Sequence, residues 1–203
     1  MASFREEGEY ALPTAITHAV IAGAAVAAAG RREKPLRLWC TAIAVSVLPD
    51  ADVIGFSLGV QYEDFLGHRG FFHSPFFALI LSVFCVLVYF RELRPLSRRW
   101  WGYVAFLAVL GASHGILDAM TDGGLGIALL APFANTRYFL PWAPIPVAPI
   151  GLAAFFSKWG LEIIEWEMVY IWLPVCAAAA ALTLTLGGRR RLRRAARSSS
   201  SRG

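Results

Sequence analysis

All four histidines of the chain lie beside carboxylates or polar caps in otherwise apolar stretches: His18 in Thr14-Ala15-Ile16-Thr17-His18, His68 and His73 in His68-Arg69-Gly70-Phe71-Phe72-His73-Ser74, and His114 in Ser113-His114-Gly115-Ile116-Leu117-Asp118. Asp50 and Asp52 follow Leu48-Pro49, and Asp122 follows Asp118. Imidazole and carboxylate together make a borderline ligand set suited to zinc, manganese or iron. Cys40, Cys85 and Cys176 stand apart from these positions, which disfavours a thiolate-bound structural zinc. The spacing of His114 and Asp118, i and i+4, sends both side chains from one helical face toward a shared centre. Asp50 and Asp52 cannot share a helical face, and Pro49 implies an irregular backbone that presents one of them inward.

Each of these residues also has a plainer reading. Asp52 and Asp122 can cap helices, His18 can be a satisfied core histidine, His68 can bond its own loop, and Glu63 and Asp64 suit a solvated face. Burying His114 and Asp118 without a partner is hard to justify on any such reading.

The elements that must position these groups are membrane spans. A span needs about 20 mostly apolar residues, and five stretches approach that: Thr14–Gly30, Leu36–Val60, Phe71–Phe90, Trp100–Met120 and Trp166–Gly187. Thr121–Glu165, with Pro132, Pro141, Pro144, Pro146 and Pro149, cannot be one continuous helix. It reads as an irregular interfacial layer in which Trp142 and Trp159 suit the headgroup depth. The expected fold is therefore all-α, a polytopic helical membrane protein of about five spans. Residues 1–188 form the integral-membrane domain that carries the site, and 189–203 form a basic, disordered cytoplasmic tail.

Composition agrees. The 203 residues are 57% hydrophobic and 16% charged, against about 45–50% and 25% for a soluble domain. The net charge of +5 resides in a tail, since Arg189, Arg190, Arg191, Arg193, Arg194, Arg197 and Arg202 exceed it and leave the remainder net acidic. Such a tail suits contact with anionic lipid, and no specific nucleic-acid partner is expected.

Lys and Arg in short loops are retained in the cytoplasm. Arg31, Arg32, Lys34 and Arg37, then Arg91, Arg94, Arg98 and Arg99, then the Arg run fall on one side of a five-span chain. The N-terminus with Glu6, Glu7 and Glu9 falls outside, and the C-terminus inside. The acidic n-region argues against a cleaved signal peptide, despite the small residues Ala27-Ala28-Ala29. With that topology His18, Asp50, Asp52, His73, His114 and Asp118 all reach the outer leaflet. Ionisable groups inside spans cost ~2.5–3.5 kcal/mol each near the centre and usually mark a functional interior.

The ordered motifs Thr17-His18, Leu48-Pro49-Asp50-Ala51-Asp52, His68-Arg69-Gly70 with His73-Ser74, and Ser113-His114-Gly115-Ile116-Leu117-Asp118 with Thr121-Asp122-Gly123-Gly124 resemble the YdjM-like family of membrane-bound, predicted metal-dependent hydrolases. The resemblance continues through Pro132-Phe133 and Arg137-Tyr138. More distantly the pattern is similar to the zinc-dependent phospholipase C and single-strand nuclease superfamily. That likeness implies that His18, Asp50, His68 or His73, His114 and Asp118 are metal ligands, with Asp118 able to bridge two ions. The later ligands of a three-metal cluster have no counterpart, because no histidine follows His114, so one or two ions are expected, zinc before manganese or iron.

The expected function is a hydrolase of the bacterial inner membrane that attacks a phosphoester or other ester of a lipid or lipid-linked substrate. In that reading Asp50 is a ligand and Asp52 the general base or a supporting residue. Arg69 and Arg137 are available to hold a phosphate by a bidentate fork. The competing expectation is a transporter or proton relay, which would spread its polar groups across the whole membrane thickness.

Overall fold

The computed structural model describes residues 11–12, 14–29, 35–146, 148–149 and 156–200, and side chains within helices as far as Gly187. Glu6, Glu7, Glu9, Arg31, Arg32 and Lys34 lie outside the described residues, as do the side chains of the C-terminal Arg run.

Among the described residues the regular structure is helical, apart from a two-residue antiparallel ladder joining Ala11–Leu12 to Ala148–Pro149 and isolated bridges at Thr121–Ile145 and Ile127–Tyr138. In chain order the helices are α1 (Ala15–Ala28), α2 (Leu36–Val47), α3 (Ile54–Ser57), α4 (Pro75–Tyr89), α5 (Arg98–Asp118), α6 (Lys158–Glu167) and α7 (Leu173–Ser200). Most open on a hydroxyl cap, as the sequence dictates. Thr14, Ser74, Ser97 and Ser157 accept from the amides of Thr17, Phe77, Trp100 and Gly160, and Pro75 occupies the first turn of α4, where no amide is needed.

Helices fill all five expected spans. Leu36–Leu58, Arg98–Asp118 and Lys158–Gly187 are long and apolar enough to cross a membrane, whereas α1 and α4 are shorter apolar helices. At 1.5 Å per residue, the 14 residues of α1 cover about 21 Å, less than a hydrocarbon core of about 30 Å. Pro49 has no amide to continue α2, and the chain tightens into a 3₁₀ turn over Leu48–Val53. A second 3₁₀ turn, Phe71–His73, precedes α4. Non-helical backbone at this depth is tolerated where it lines a protein interior.

Two boundaries differ from the sequence expectation. The last span begins at Lys158, because Ser157 caps a helix that runs on through a π turn at Met168–Trp172. Pro174 cannot donate to the carbonyl four residues back, and the wide turn just before it accommodates the missing bond. The Arg-rich stretch, expected to be disordered, has helical backbone as far as Ser200. Arg and Ala are good helix formers, and cations suit a helix C-terminus.

The bundle is divided along its length. Ala22, Val26, Ala42, Val45, Val86, Trp100, Val104 and Leu107 form an apolar core between α1, α2, α4 and α5. Beyond it toward the C-terminal end of α5, the same buried face continues as Gly111, His114, Gly115 and Asp118. On that face a Cβ at Gly111 would meet Ala78 Cβ at 2.9 Å, so glycine there permits the close approach of α4 to α5.

Candidate metal centre

Four elements deliver the site. α1 contributes His18 in its first turn, the 3₁₀ turn after α2 contributes Asp50 and Asp52, the loop before α4 contributes His68 and His73, and the last turn of α5 contributes His114 and Asp118. All four histidines and Asp118 are buried.

Asp50, His73, His114 and Asp118 each place a ligand atom within 4.8 Å of the others. The Nε2 atom of His114 is 3.3 Å from Asp50 Oδ1 and 3.4 Å from Asp118 Oδ2, while that of His73 is 3.5 and 3.3 Å from the same two atoms. Imidazole and carboxylate ligands lie about 2.0–2.1 Å from zinc, which sets tetrahedral neighbours about 3.3–3.4 Å apart. The observed spacings have that size. The facing atoms lack hydrogen-bond partners: His73 Nε2, His114 Nε2 and both oxygens of Asp50 and of Asp118 are buried without one. Buried polar atoms are nearly always satisfied, so this convergence of two imidazoles and two carboxylates fits a divalent cation of the zinc, manganese or iron type.

Contacts behind these atoms fix the rings. His114 Nδ1 lies 2.8 Å from the Ser46 carbonyl, so it carries the proton and leaves Nε2 free to coordinate. Asp52 sits behind two rings at once, with Oδ1 2.6 Å from His68 Nδ1 and Oδ2 3.1 Å from His73 Nδ1. The sequence reading expected only one of Asp50 and Asp52 to point inward. Both do, because successive residues of a 3₁₀ turn step by about 120°, which aims Asp50 at the centre and Asp52 at the backs of the histidines. Asp52, His68 and His73 form a second potential ligand group sharing His73. The 2.6 Å contact has the length of a charge-assisted hydrogen bond and is shorter than a ligand–ligand edge.

His18 belongs to neither group. Its Nε2 is 3.3 Å from Asp118 Oδ1, whereas His114 approaches Oδ2, and its ring packs 3.8 Å from that of His114 between centroids. Ser46 ties the two histidines together, since its hydroxyl donates to the His18 carbonyl at 3.1 Å while its own carbonyl holds His114. Asp122 is exposed and outside both groups.

The two arginines expected at a substrate phosphate instead grip main-chain and hydroxyl oxygens. Arg69, buried and in the left-handed region at φ 61°, donates to the Gly123 carbonyl at 2.7 Å and to Thr121 Oγ1 at 3.0 Å. Arg137 donates to the carbonyls of His68, Tyr62 and Asp64 at 2.8, 2.7 and 3.2 Å, and lies over the Tyr62 ring. A fork of parallel donors suits neighbouring carbonyls as well as it suits a phosphate, and here it shapes the loop that carries His68. Burial pushes the Tyr62 phenol above its usual range, so it remains a neutral ring beside His68.

Sequence reasoning passed over Ser46 and Glu167. Ser46 acts mainly through its carbonyl, which no residue type reveals. Glu167 carried a usable signal as a carboxylate in an expected span. It is fully buried, accepting from the Thr14 amide and Thr17 Oγ1, both at 2.8 Å, and from the Thr14 hydroxyl.

Fold and site together define a polytopic helical membrane protein with a buried His/Asp centre. The chain belongs to the YdjM inner membrane protein family, whose model matches residues 14–191. It is 39% identical over 163 residues to the inner membrane protein YbcI of Escherichia coli (strain K12), covering 80% of this chain and 92% of that relative. No solved structure is a significant match.

Proposed function

We propose that the protein is a metal-dependent hydrolase of the bacterial inner membrane, acting on a phosphoester or other ester of a lipid-like substrate at the outer leaflet. The observation that carries this reading is the convergence of Asp50, His73, His114 and Asp118, with ligand-sized spacings and no hydrogen bonds among the facing atoms. In this reading those four residues hold the principal ion, most readily zinc. His18 on Oδ1 of Asp118 and His68 beside Asp52 are the reserve for a second. A bound divalent ion lowers the pKa of water from 15.7 toward about 7 and polarises an ester oxygen.

The chain's own groups supply the rest. Asp52 keeps His68 and His73 in the tautomer that turns Nε2 outward, as carboxylates behind metal-ligating histidines do. Asp50 has the one partly exposed side chain of the four, at 11%, and its second oxygen can accept a proton from an attacking water. The connecting segments at this end carry exposed Ile54, Leu58, Phe133 and Trp142, which suits a substrate with an apolar body arriving from the bilayer. Arg69 and Arg137 brace the loops, and the phosphate-fork role is not retained for them.

A transporter or proton relay would need ionisable groups through the thickness. Below the centre the described core is Ala22, Val26, Val45, Val86 and Leu107, which supports a one-sided pocket. Release of p-nitrophenol from a phosphodiester or ester by the detergent-purified protein tests the proposal. Turnover should disappear with chelator and in His114→Ala, and turnover that survives both would refute it.

A further inference from the structure

Of the four histidines, His18 is held differently. His114 and His68 each have an Nδ1 hydrogen bond behind the ring and His73 Nδ1 an ion-pair contact with Asp52 Oδ2 at 3.1 Å, whereas His18 Nδ1 has neither a hydrogen bond nor an ion-pair contact among the described residues. Its ring position therefore depends on the backbone of the first turn of α1. That turn is fastened from the far side of the bundle. Glu167, at the end of α6, takes the Thr14 amide, the Thr14 hydroxyl and the Thr17 hydroxyl, and Trp172 Nε1 lies 2.5 Å from the same Thr17 Oγ1. The next residue after Thr17 is His18.

The π turn makes this double grip possible. Glu167 and Trp172 are five residues apart, which in a regular α-helix sets them about 140° apart around the axis. The wider π turn across Met168–Trp172 reduces that angle, and both side chains reach α1. A buried carboxylate is costly unless its oxygens are satisfied; here its donors all come from the N-terminus of α1, where the helix dipole also favours a negative charge.

We infer that Glu167 is a positioning residue for the metal centre: through Thr14 and Thr17, with Trp172 as second anchor, the last membrane helix sets where the His18 imidazole stands against Asp118. The inference rests on the metal reading above and assigns a task to a helix that contributes no ligand.

Cobalt(II) loaded into the purified full chain tests it, because its visible absorption reports coordination geometry, which a purely structural fastening would not move. Wild type is compared with His18→Ala, Glu167→Ala, Glu167→Gln and Thr17→Val, with helicity followed by circular dichroism. Glu167→Ala should shift the cobalt spectrum in the same sense as His18→Ala and weaken cobalt binding by ~10–100-fold, while Glu167→Gln, which keeps an acceptor oxygen, should recover most of the wild-type spectrum. If Glu167→Ala does not fold, Thr17→Val carries the comparison, since it removes the hydroxyl that both Glu167 and Trp172 hold. A wild-type spectrum and affinity in the folded Glu167 and Thr17 variants, or in His18→Ala, would overturn the inference. Failure of the wild type to bind cobalt at all would instead overturn the metal reading on which it stands.

Discussion

Gly115 follows His114 in α5, and a Cβ there would lie 2.2 Å from the carbonyl oxygen of His73. Ordinary carbon contacts sit near 3.5–4.0 Å, so Gly115→Ala must drive the 3₁₀ turn of His73 away from α5 by about 1 Å or more. The obstacle is backbone, which has no rotamer to yield, and overpacking of this kind costs ~1–3 kcal/mol. The same displacement carries His73 Nε2 out of contact distance with Asp50 and Asp118, now 3.5 and 3.3 Å. Disturbing a contact that supports a metal site typically costs ~10–100-fold in affinity, and displacing a ligand itself should cost at least that much. Gly102 is the control within the same helix, because nothing lies within 4 Å of its Cβ position. Gly102→Ala should leave metal binding unchanged and raise stability by roughly 0.5–1 kcal/mol through helix propensity alone. Thermal unfolding in detergent and a zinc titration with a competing chelator measure both quantities. Equal stability and equal affinity in the two variants would refute the packing argument.

Three further outcomes follow from the site. Asp50→Asn should lose most of the bound metal, whereas Asp52→Asn should keep stoichiometric metal with affinity lowered ~10–100-fold; the reverse pattern, seen by elemental analysis, would exchange the two roles. Arg137→Lys replaces a fork over three carbonyls by a single point donor, so hydrogen exchange should accelerate across residues 61–70, and unchanged protection there would contradict the bracing role. A reporter fused after the Arg run should behave as cytoplasmic and one inserted near Gln61 as external; the same side for both would undo the outer-leaflet placement.

Much of this organisation is legible in the residues because apolar length and polar exceptions are one-dimensional signals. The face carrying His114 and Asp118 follows from helical periodicity, and the helical stretches follow from apolar length, although α4 and α5 start at the hydroxyls of Ser74 and Ser97 rather than at Phe71 and Trp100. What the sequence hides is three-dimensional. Pro49 announces an irregular turn without saying that its tightness aims two carboxylates at different atoms of the same histidines. Arg69 and Arg137 look free for a phosphate until the loops they grip are in place, since a carbonyl acceptor can come from any residue type. The role of Glu167 needs the π turn, whose cause at Pro174 can be read locally but whose consequence at α1 is a contact across 150 residues.

Elemental analysis of the purified protein beside His114→Ala decides whether Asp50, His73, His114 and Asp118 form a metal site. Zinc, manganese or iron should be retained by the wild type at one or two ions per chain and largely lost from a folded His114→Ala. Wild-type protein that remains metal-free after exposure to these ions, or His114→Ala that keeps the full complement, would contradict such a site.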